Sequence, residues 1–155
     1  MILSNQIKDH LKGPKSSYAG TRDKEFRCEI VRVVGVTPTG HDSIKFFIAE
    51  ATGAKTLDNV RSNKIVTLST TNIFTSESYQ IKGRLINARP ATEEENTFVR
   101  DYMASFDEAA SKLGFEPGML SSKLLSHPAL AIEFVADQIF DQTPKVGTGK
   151  LVSSV

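Results

Sequence analysis

The chain has 155 residues, of which 39% are hydrophobic and 24% are charged, and its net charge at pH 7 is +1. These values fit one globular domain with a hydrophobic core and exclude a disordered chain. Domains that bind nucleic acid through bulk charge are usually strongly basic, so the charge balance argues against that class. The composition therefore predicts a single domain over residues 1–155 with no nucleic-acid partner.

Cysteine and histidine are too sparse to build a metal centre or a disulfide framework. Cys28 is the only cysteine, and His10, His41 and His127 are scattered without the spacing of metal ligands. No apolar run is long enough to cross a membrane, and no apolar segment near the first residue is typical of a secretory signal. We therefore expect a cytoplasmic protein without a metal site and without a membrane-spanning segment.

Most of the predicted regular structure is β. Apolar residues at helical spacing first predict a short helix within residues 1–15, ended by Gly13 and Pro14. Segments that are rich in β-branched residues, or that alternate apolar with polar residues, then predict strands. The predicted strands cover residues 18–22, 26–37, 43–49, 64–71, 78–89 and 129–140. Cys28 is predicted to be buried in the second strand as a small hydrophobic residue, and Gly83 predicts a bulge in the fifth.

The remaining segments predict helices. Residues 54–62 predict a short helix between the third and fourth strands. Thr92 and Glu95 form a capping box, and apolar residues at three- and four-residue steps then predict a long helix as far as Gly114. A further short helix is predicted over residues 119–126, and residues 141–155 are expected to be an extended tail. Six strands with these turn signals predict a mainly β barrel or sandwich with one long and several short α-helices.

Lys55 and Thr56 are the strongest candidates for a binding function. They stand side by side where the third strand leads into the predicted helix. Such a junction offers free backbone N–H groups, the positive end of a helix dipole, an ammonium and a hydroxyl, all of which favour a phosphate. The pair could instead be a solvated lysine and a capping hydroxyl. No catalytic acid, base or nucleophile stands out elsewhere, which is typical of a protein whose cofactor performs the chemistry.

The order of these segments resembles the FMN-binding split-barrel superfamily of pyridoxamine 5′-phosphate oxidase-like proteins, which includes small FMN-binding proteins and flavin reductase relatives. Three runs carry the resemblance: KTLDNV at 55–60, IVTL at 65–68 and SYQIKG at 78–83. They match the family pattern in order and spacing, and the resemblance extends over residues 18–150. It implies a six-stranded split β-barrel of Greek-key character that forms a two-fold homodimer, with two FMN molecules in grooves at the subunit interface.

The resemblance also implies which residues bind FMN. Lys55 and Thr56 fall where family members hold the phosphate, and Ser78 falls where a side chain, often glutamine, hydrogen-bonds the flavin. The second strand and the end of the third would line the ribityl chain and the isoalloxazine ring, largely through backbone groups. The predicted contacts there are Arg27, Glu29, Ile30, Val31, Arg32, Ile48 and Ala49. Arg32 is the predicted basic group at the flavin N1–C2=O edge, where it would stabilise the anionic reduced form.

One departure from the family limits what the resemblance implies about substrate. Pyridoxamine phosphate oxidases proper add a C-terminal segment whose tryptophan and arginine bind substrate. This sequence has no tryptophan, and no arginine follows Arg100, so oxidation of pyridoxamine phosphate is not expected. Three functions stay open: an FMN-dependent oxidoreductase, a non-catalytic FMN carrier or electron-transfer protein, and a module that binds a deazaflavin or haem on the same barrel.

Overall fold

The computed structural model describes residues 2–154, so Met1 and Val155, which end the two predicted terminal segments, lie outside it. Within that range the chain forms seven strands and four helices. The strands are β1 (Ser16–Arg22), β2 (Cys28–Pro38), β3 (Ser43–Ala49), β4 (Ile65–Thr71), β5 (Ser78–Pro90), β6 (Ala129–Asp141) and β7 (Lys150–Ser154). The helices are α1 (Asn5–Leu11), α2 (Glu50–Asn63), α3 (Glu93–Ser111) and α4 (Met119–Lys123).

Six antiparallel strands close into a barrel. Strand β1 lies between β2 and β4, and the sheet continues from β4 through β5 to β6 on one side and from β2 to β3 on the other. The pairing of β3 with β6, from Ser43 opposite Val135 to Ala49 opposite Ala129, completes the ring. The predicted mainly β, six-stranded barrel is therefore confirmed. Strand β7 pairs with the end of β6 outside the barrel, in a segment predicted only as an extended tail.

Alternating residues of the strands fill the barrel, and helices cover three of its surfaces. The large side chains in the interior are fully buried; they include Phe46, Phe134, Ile44, Ile48, Leu68, Ile81 and Ile132. Helix α1 adds Ile7 and Leu11 at the end where β5 begins, and α2 adds Val60 at the opposite end. Helix α3 covers part of the outside through Val99, Tyr102 and Met103, which pack with residues of β2, β3 and β6.

The beginning of β2 differs from its predicted position. The strand starts at Cys28, because Phe26 has a left-handed φ of 62° and the Asp23 carboxylate accepts the backbone N–H groups of Glu25 and Arg27. Cys28 is exposed, so the prediction that it is buried is wrong. Side chains alternate along a strand, and in β2 the inward positions belong to Val31 and Val33.

The bulge predicted at Gly83 is confirmed, since the register of β5 against β6 shifts between Lys82 and Gly83. A Cβ atom at this position would overlap the carbonyl oxygen of Val135 and press on the Phe134 ring. The capping box of α3 is also present, with Thr92 and Glu95 each accepting the other's backbone N–H group. The last two helices are shorter than predicted. Helix α3 ends at Ser111 rather than at Gly114, and α4 ends at Lys123 rather than at residue 126.

Among residues 2–154, no helix combines the length and apolar character that a bilayer crossing requires.

Candidate functional site

The barrel is open where β2 and β3 part. Strand β1 pairs with β2 from Cys28 to Val33, whereas β3 pairs with β2 only from Val33 onward. Within the described part of the chain, residues 28–32 therefore have a strand along one edge only. The chain turns from β3 into α2 at Ala49, and α2 packs against β2. The free edge of β2 leaves backbone N–H and C=O groups available to a ligand beside that helix.

The first turn of α2 has free backbone donors next to this opening. Ala49 is the N-cap and has no side-chain capping bond. The N–H of Glu50 donates to the carbonyl of Pro128, whereas Ala51 and Thr52 have no acceptor outside the helix among the described residues. Together with the positive end of the helix dipole, these N–H groups favour an anion.

Lys55 lies one turn further along the same exposed face of α2. It follows Ala51 by four residues, and helical side chains lean towards the N-terminus, so its ammonium lies near the first turn. Its Nζ is 3.2 Å from Oε2 of Glu29 on β2, and the Lys55 side chain is 55% exposed. The prediction that Lys55 stands at the start of the helix is wrong, because α2 begins at Glu50 and not at residue 54. The convergence of amides, a cation and a free strand edge nevertheless provides donors for a phosphorylated ligand.

Thr56 is in a different environment from its neighbour. It is fully buried, and its Oγ1 has no hydrogen-bond partner within residues 2–154. It lies on the face of α2 that also carries Gly53 and Val60, and that face packs onto the barrel. Lys55 therefore reaches solvent and Thr56 does not, so their predicted joint contact with a phosphate stays a prediction.

A shallow groove of about 320 Å³ crosses the outer face of β1, β2, β4 and β5 next to the opening. Glu29 and Ile30 of the predicted site line it. The other lining residues were not predicted; those with polar side chains on outward positions include Arg22, Thr67 and Gln80. They occupy outward positions of neighbouring strands, and the alternation within each strand is the sequence signal that could have identified them.

The other predicted site residues fall in three places. Arg27 lies in the turn before β2, where it forms ion pairs with Asp23 at 2.9 Å and Glu25 at 3.1 Å. The side chains of Val31, Ile48 and Ala49 are buried, so these residues can offer a ligand only their backbone groups. The remaining two, Ser78 and Arg32, do not line the groove.

Ser78 is the first residue of β5, where it pairs with Thr71 at the last position of β4. Its hydroxyl donates to the carbonyl of Ser76 at 2.8 Å and bonds the hydroxyl of Thr71 at 2.9 Å. Arg32 lies on the same outward face of β2 as Ile30 but lines a separate cavity. The structure therefore brings Glu29, Ile30 and Lys55 together and places Arg32 and Ser78 elsewhere.

The sequence matches no protein-family model, and no curated protein is detectably similar to it. Solved structures share its fold at low identity. HupZ of Group A Streptococcus has 13% identity and a TM-score of 0.57, covering 96% of this chain and 99% of its own. An F420 reductase has 13% identity and a TM-score of 0.58, covering 88% and 98%. A Clostridium acetobutylicum protein of the pyridoxinephosphate oxidase family, related to general stress protein 26, has 11% identity and a TM-score of 0.55, covering 97% and 92%.

These neighbours include pyridoxamine 5′-phosphate oxidase-like split-barrel proteins, and the chain has their fold over nearly its whole length. The split-barrel architecture implied by the sequence resemblance is therefore confirmed.

Proposed function

We propose that the protein is an FMN-binding flavoprotein, acting as an oxidoreductase through the bound cofactor and working as a cytoplasmic homodimer. The observation that carries this proposal is the free edge of β2 beside Lys55 and the first-turn amides of α2. It is supported by the fold, which is shared with a member of the pyridoxinephosphate oxidase family.

The residues at the opening fit the chemical groups of FMN. The Lys55 ammonium and the amides of Ala51 and Thr52 are donors suited to a phosphate monoester. The free edge of β2 offers both donors and acceptors to the hydroxyl groups of a ribityl chain. Ile30 and Ile65 provide apolar surface in the groove for an aromatic ring system. When bound, FMN supplies electron or hydride transfer, while the residues of this chain bind and orient it.

The size of the groove supports a dimer. At about 320 Å³ it is at the small end of ligand pockets, and it is open to solvent on the sheet surface. Ile30 and Ile65 on this surface are 70% and 42% exposed, and Tyr18 is 42% exposed. We propose that a second copy of the chain covers this face and completes the enclosure of the cofactor.

A deazaflavin is the second candidate ligand. The structural similarity to an F420 reductase is the observation that favours it. A deazaflavin cofactor also carries a ribityl phosphate, so the same donors would serve, and the ligand must be identified by experiment.

The phosphate assignment is tested by titrating the protein with FMN and with riboflavin, following quenching of flavin fluorescence. The wild-type protein should prefer FMN by tenfold or more, because each charge-assisted bond to the phosphate contributes about 1.5–3 kcal/mol. Lys55→Ala should lose most of that preference. Lys112→Ala is the matched control, since Lys112 forms an exposed i,i+4 ion pair with Glu108 on α3. Equal affinity for FMN and riboflavin in the wild-type protein would reject the assignment.

The catalytic part of the proposal is tested by NAD(P)H oxidation in the presence of FMN. An oxidoreductase that accepts this donor consumes NAD(P)H with FMN bound, whereas a carrier binds FMN without turnover. FMN binding without consumption of NAD(P)H would favour the carrier or electron-transfer protein.

A further inference from the structure

A second cavity, of about 230 Å³, lies between β2 and the C-terminal half of α3. Its walls are mainly apolar and come from α3 and the segment that follows it; they include Phe106, Ala110, Leu113, Phe115 and Leu120. Arg32 of β2 and Ser16 of β1 supply its polar groups. Of the residues that the structure describes, none with an acidic side chain and no second cation lines it.

Arg32 differs from the other arginines in its hydrogen bonds. The others donate to a carboxylate or to a backbone carbonyl: Arg22, Arg27, Arg61, Arg84, Arg89 and Arg100. Among residues 2–154, Arg32 alone has neither kind of acceptor. Its Nη1 donates to the Tyr18 hydroxyl at 3.1 Å, and its Nε is buried without a partner. A guanidinium has five N–H donors, so Arg32 has further donors to offer a ligand in the cavity besides the bond to Tyr18.

Two aromatic rings hold this guanidinium at the cavity. Its central carbon lies 5.4 Å from the centroid of the Tyr18 ring and 5.3 Å from that of Phe106. The rings keep the cation in place but accept none of its in-plane N–H bonds. The buried Nε–H lacks an acceptor among residues 2–154, which is unfavourable, and a carboxylate that accepted this donor would offset that cost.

We propose that this cavity binds a small carboxylic acid with an aromatic or branched aliphatic body. The carboxylate lies on the guanidinium of Arg32, and the body fills the space between Phe106, Ala110 and Leu120. At interior packing density, 230 Å³ holds a ligand of roughly ten non-hydrogen atoms. A single guanidinium and apolar walls suit one carboxylate better than a doubly charged phosphate.

The cavity adjoins the groove on the same strand. Ile30 lines the groove and Arg32 lines the cavity, and the two residues are successive outward positions of β2. A bound acid would therefore lie beside a cofactor in the groove. That proximity rests on the proposed function, whereas the binding of the acid to Arg32 does not depend on it. Arg32 thereby has a role different from the flavin contact predicted from the sequence.

The test is a titration of the full chain, as purified, with benzoate, phenylacetate and the neutral analogue benzamide, followed by backbone amide NMR shifts. At least one of the two acids should bind with a tenfold or greater preference over benzamide and shift the amides around Arg32 and Phe106. Arg32→Gln should weaken binding of that acid by tenfold or more, because it removes the charge. Phe115→Asp places a carboxylate on the exposed rim and should also weaken it. Arg61→Gln is the matched control and should leave acid binding unchanged.

The proposal is overturned if neither acid binds, if benzamide binds as well as the acids, or if Arg32→Gln binds them as the wild-type protein does. The FMN titration is run on the same preparation, so the two proposals fail separately. Acid binding without FMN binding rejects the proposed function and retains this site. FMN binding without acid binding retains the proposed function and rejects this site.

Discussion

Lys55 and Thr56 are adjacent in sequence, yet only Lys55 reaches solvent. The buried hydroxyl of Thr56 has no partner in the described part of the chain, and such a group costs about 1–3 kcal/mol relative to a satisfied one. We therefore predict that Thr56→Val, which replaces the hydroxyl by a methyl of similar size, raises the free energy of unfolding by about 1 kcal/mol. Urea denaturation measures this change.

The control for this substitution is Thr21→Val. The Thr21 hydroxyl is also buried but accepts a hydrogen bond from Asn59 Nδ2 at 3.0 Å, so its loss should be destabilising. A loss of stability in Thr56→Val, or a weaker affinity for FMN, would show that its hydroxyl has a partner or a ligand.

The carboxylate of Glu29 contributes a negative charge beside the proposed phosphate site at Lys55. Its carboxylate is 3.2 Å from the Lys55 ammonium, so a phosphate must compete with it for that cation. We predict that Glu29→Gln strengthens FMN binding several-fold, because it frees Lys55 and removes a like charge. Fluorescence titration is the measurement, and Glu25→Gln, which disrupts the ion pair with Arg27 in the turn before β2, is the control. Weaker FMN binding in Glu29→Gln would indicate that the phosphate lies elsewhere.

Glu95 links the first turn of helix α3 to the barrel strands. Its carboxylate accepts hydrogen bonds from Arg89 at 2.7 and 2.9 Å, from the backbone of Thr92 at 2.9 Å and from Lys45 at 3.0 Å. The bonds from Arg89, followed by those from Thr92 and Lys45, lower the pKa of Glu95 to about 2. Because the folded protein holds this carboxylate ionised more strongly than the unfolded chain does, its contribution is complete above the ordinary pKa of 4.5.

We predict that Glu95→Gln lowers the free energy of unfolding by about 2 kcal/mol at pH 7. The difference from wild type should shrink as the pH falls from about 5 towards 2, where the wild-type carboxylate takes up its proton. Denaturation curves at several pH values measure it. Glu94→Gln, on the exposed side of the same turn, should behave like wild type, and a difference that stayed constant with pH would contradict this origin.

The strands were predictable from the sequence because most alternate strongly. The predicted third strand coincides with β3, and the others deviate by only one or two residues at either end. The start of α2 was not predictable, since Thr52 and Gly53 look like a turn. Gly53 is helical, and a Cβ there would lie 2.8 Å from Leu130 and 2.9 Å from Ile48, so the glycine reflects close packing of the helix on the barrel.

The local sequence also could not show which side chains of β2 point into the barrel. Both Ile30 and Val31 are apolar, yet Ile30 is 70% exposed and Val31 is 6% exposed. The choice depends on the bulge against β3 between Val33 and Gly35 and on closure by β6, which are contacts between distant segments. The outward placement of Arg32 follows from the same register, and the packing of the α3 end beside it puts Arg32 at the cavity rather than in the groove.

For the whole molecule, the exposed face of β1, β2 and β4 predicts a dimer. Ile30 is at its centre, and we expect Ile30→Lys to move the mass in solution from twice 17.0 kDa towards 17.0 kDa. Light scattering after size exclusion gives the mass. Val146→Lys is the control, because Val146 is exposed in the loop before β7. A monomeric wild-type protein would show that there is no dimer interface. A dimer unaffected by Ile30→Lys would show that the interface lies elsewhere.

The ligand that the purified protein carries decides whether it is an FMN-binding protein. The protein is expressed without added cofactor, its absorption spectrum is recorded, and the material released on denaturation is analysed by mass spectrometry. We expect flavin absorption bands and release of FMN, up to one per chain. Release of a deazaflavin or haem, or a colourless protein that takes up no added FMN, would contradict this expectation.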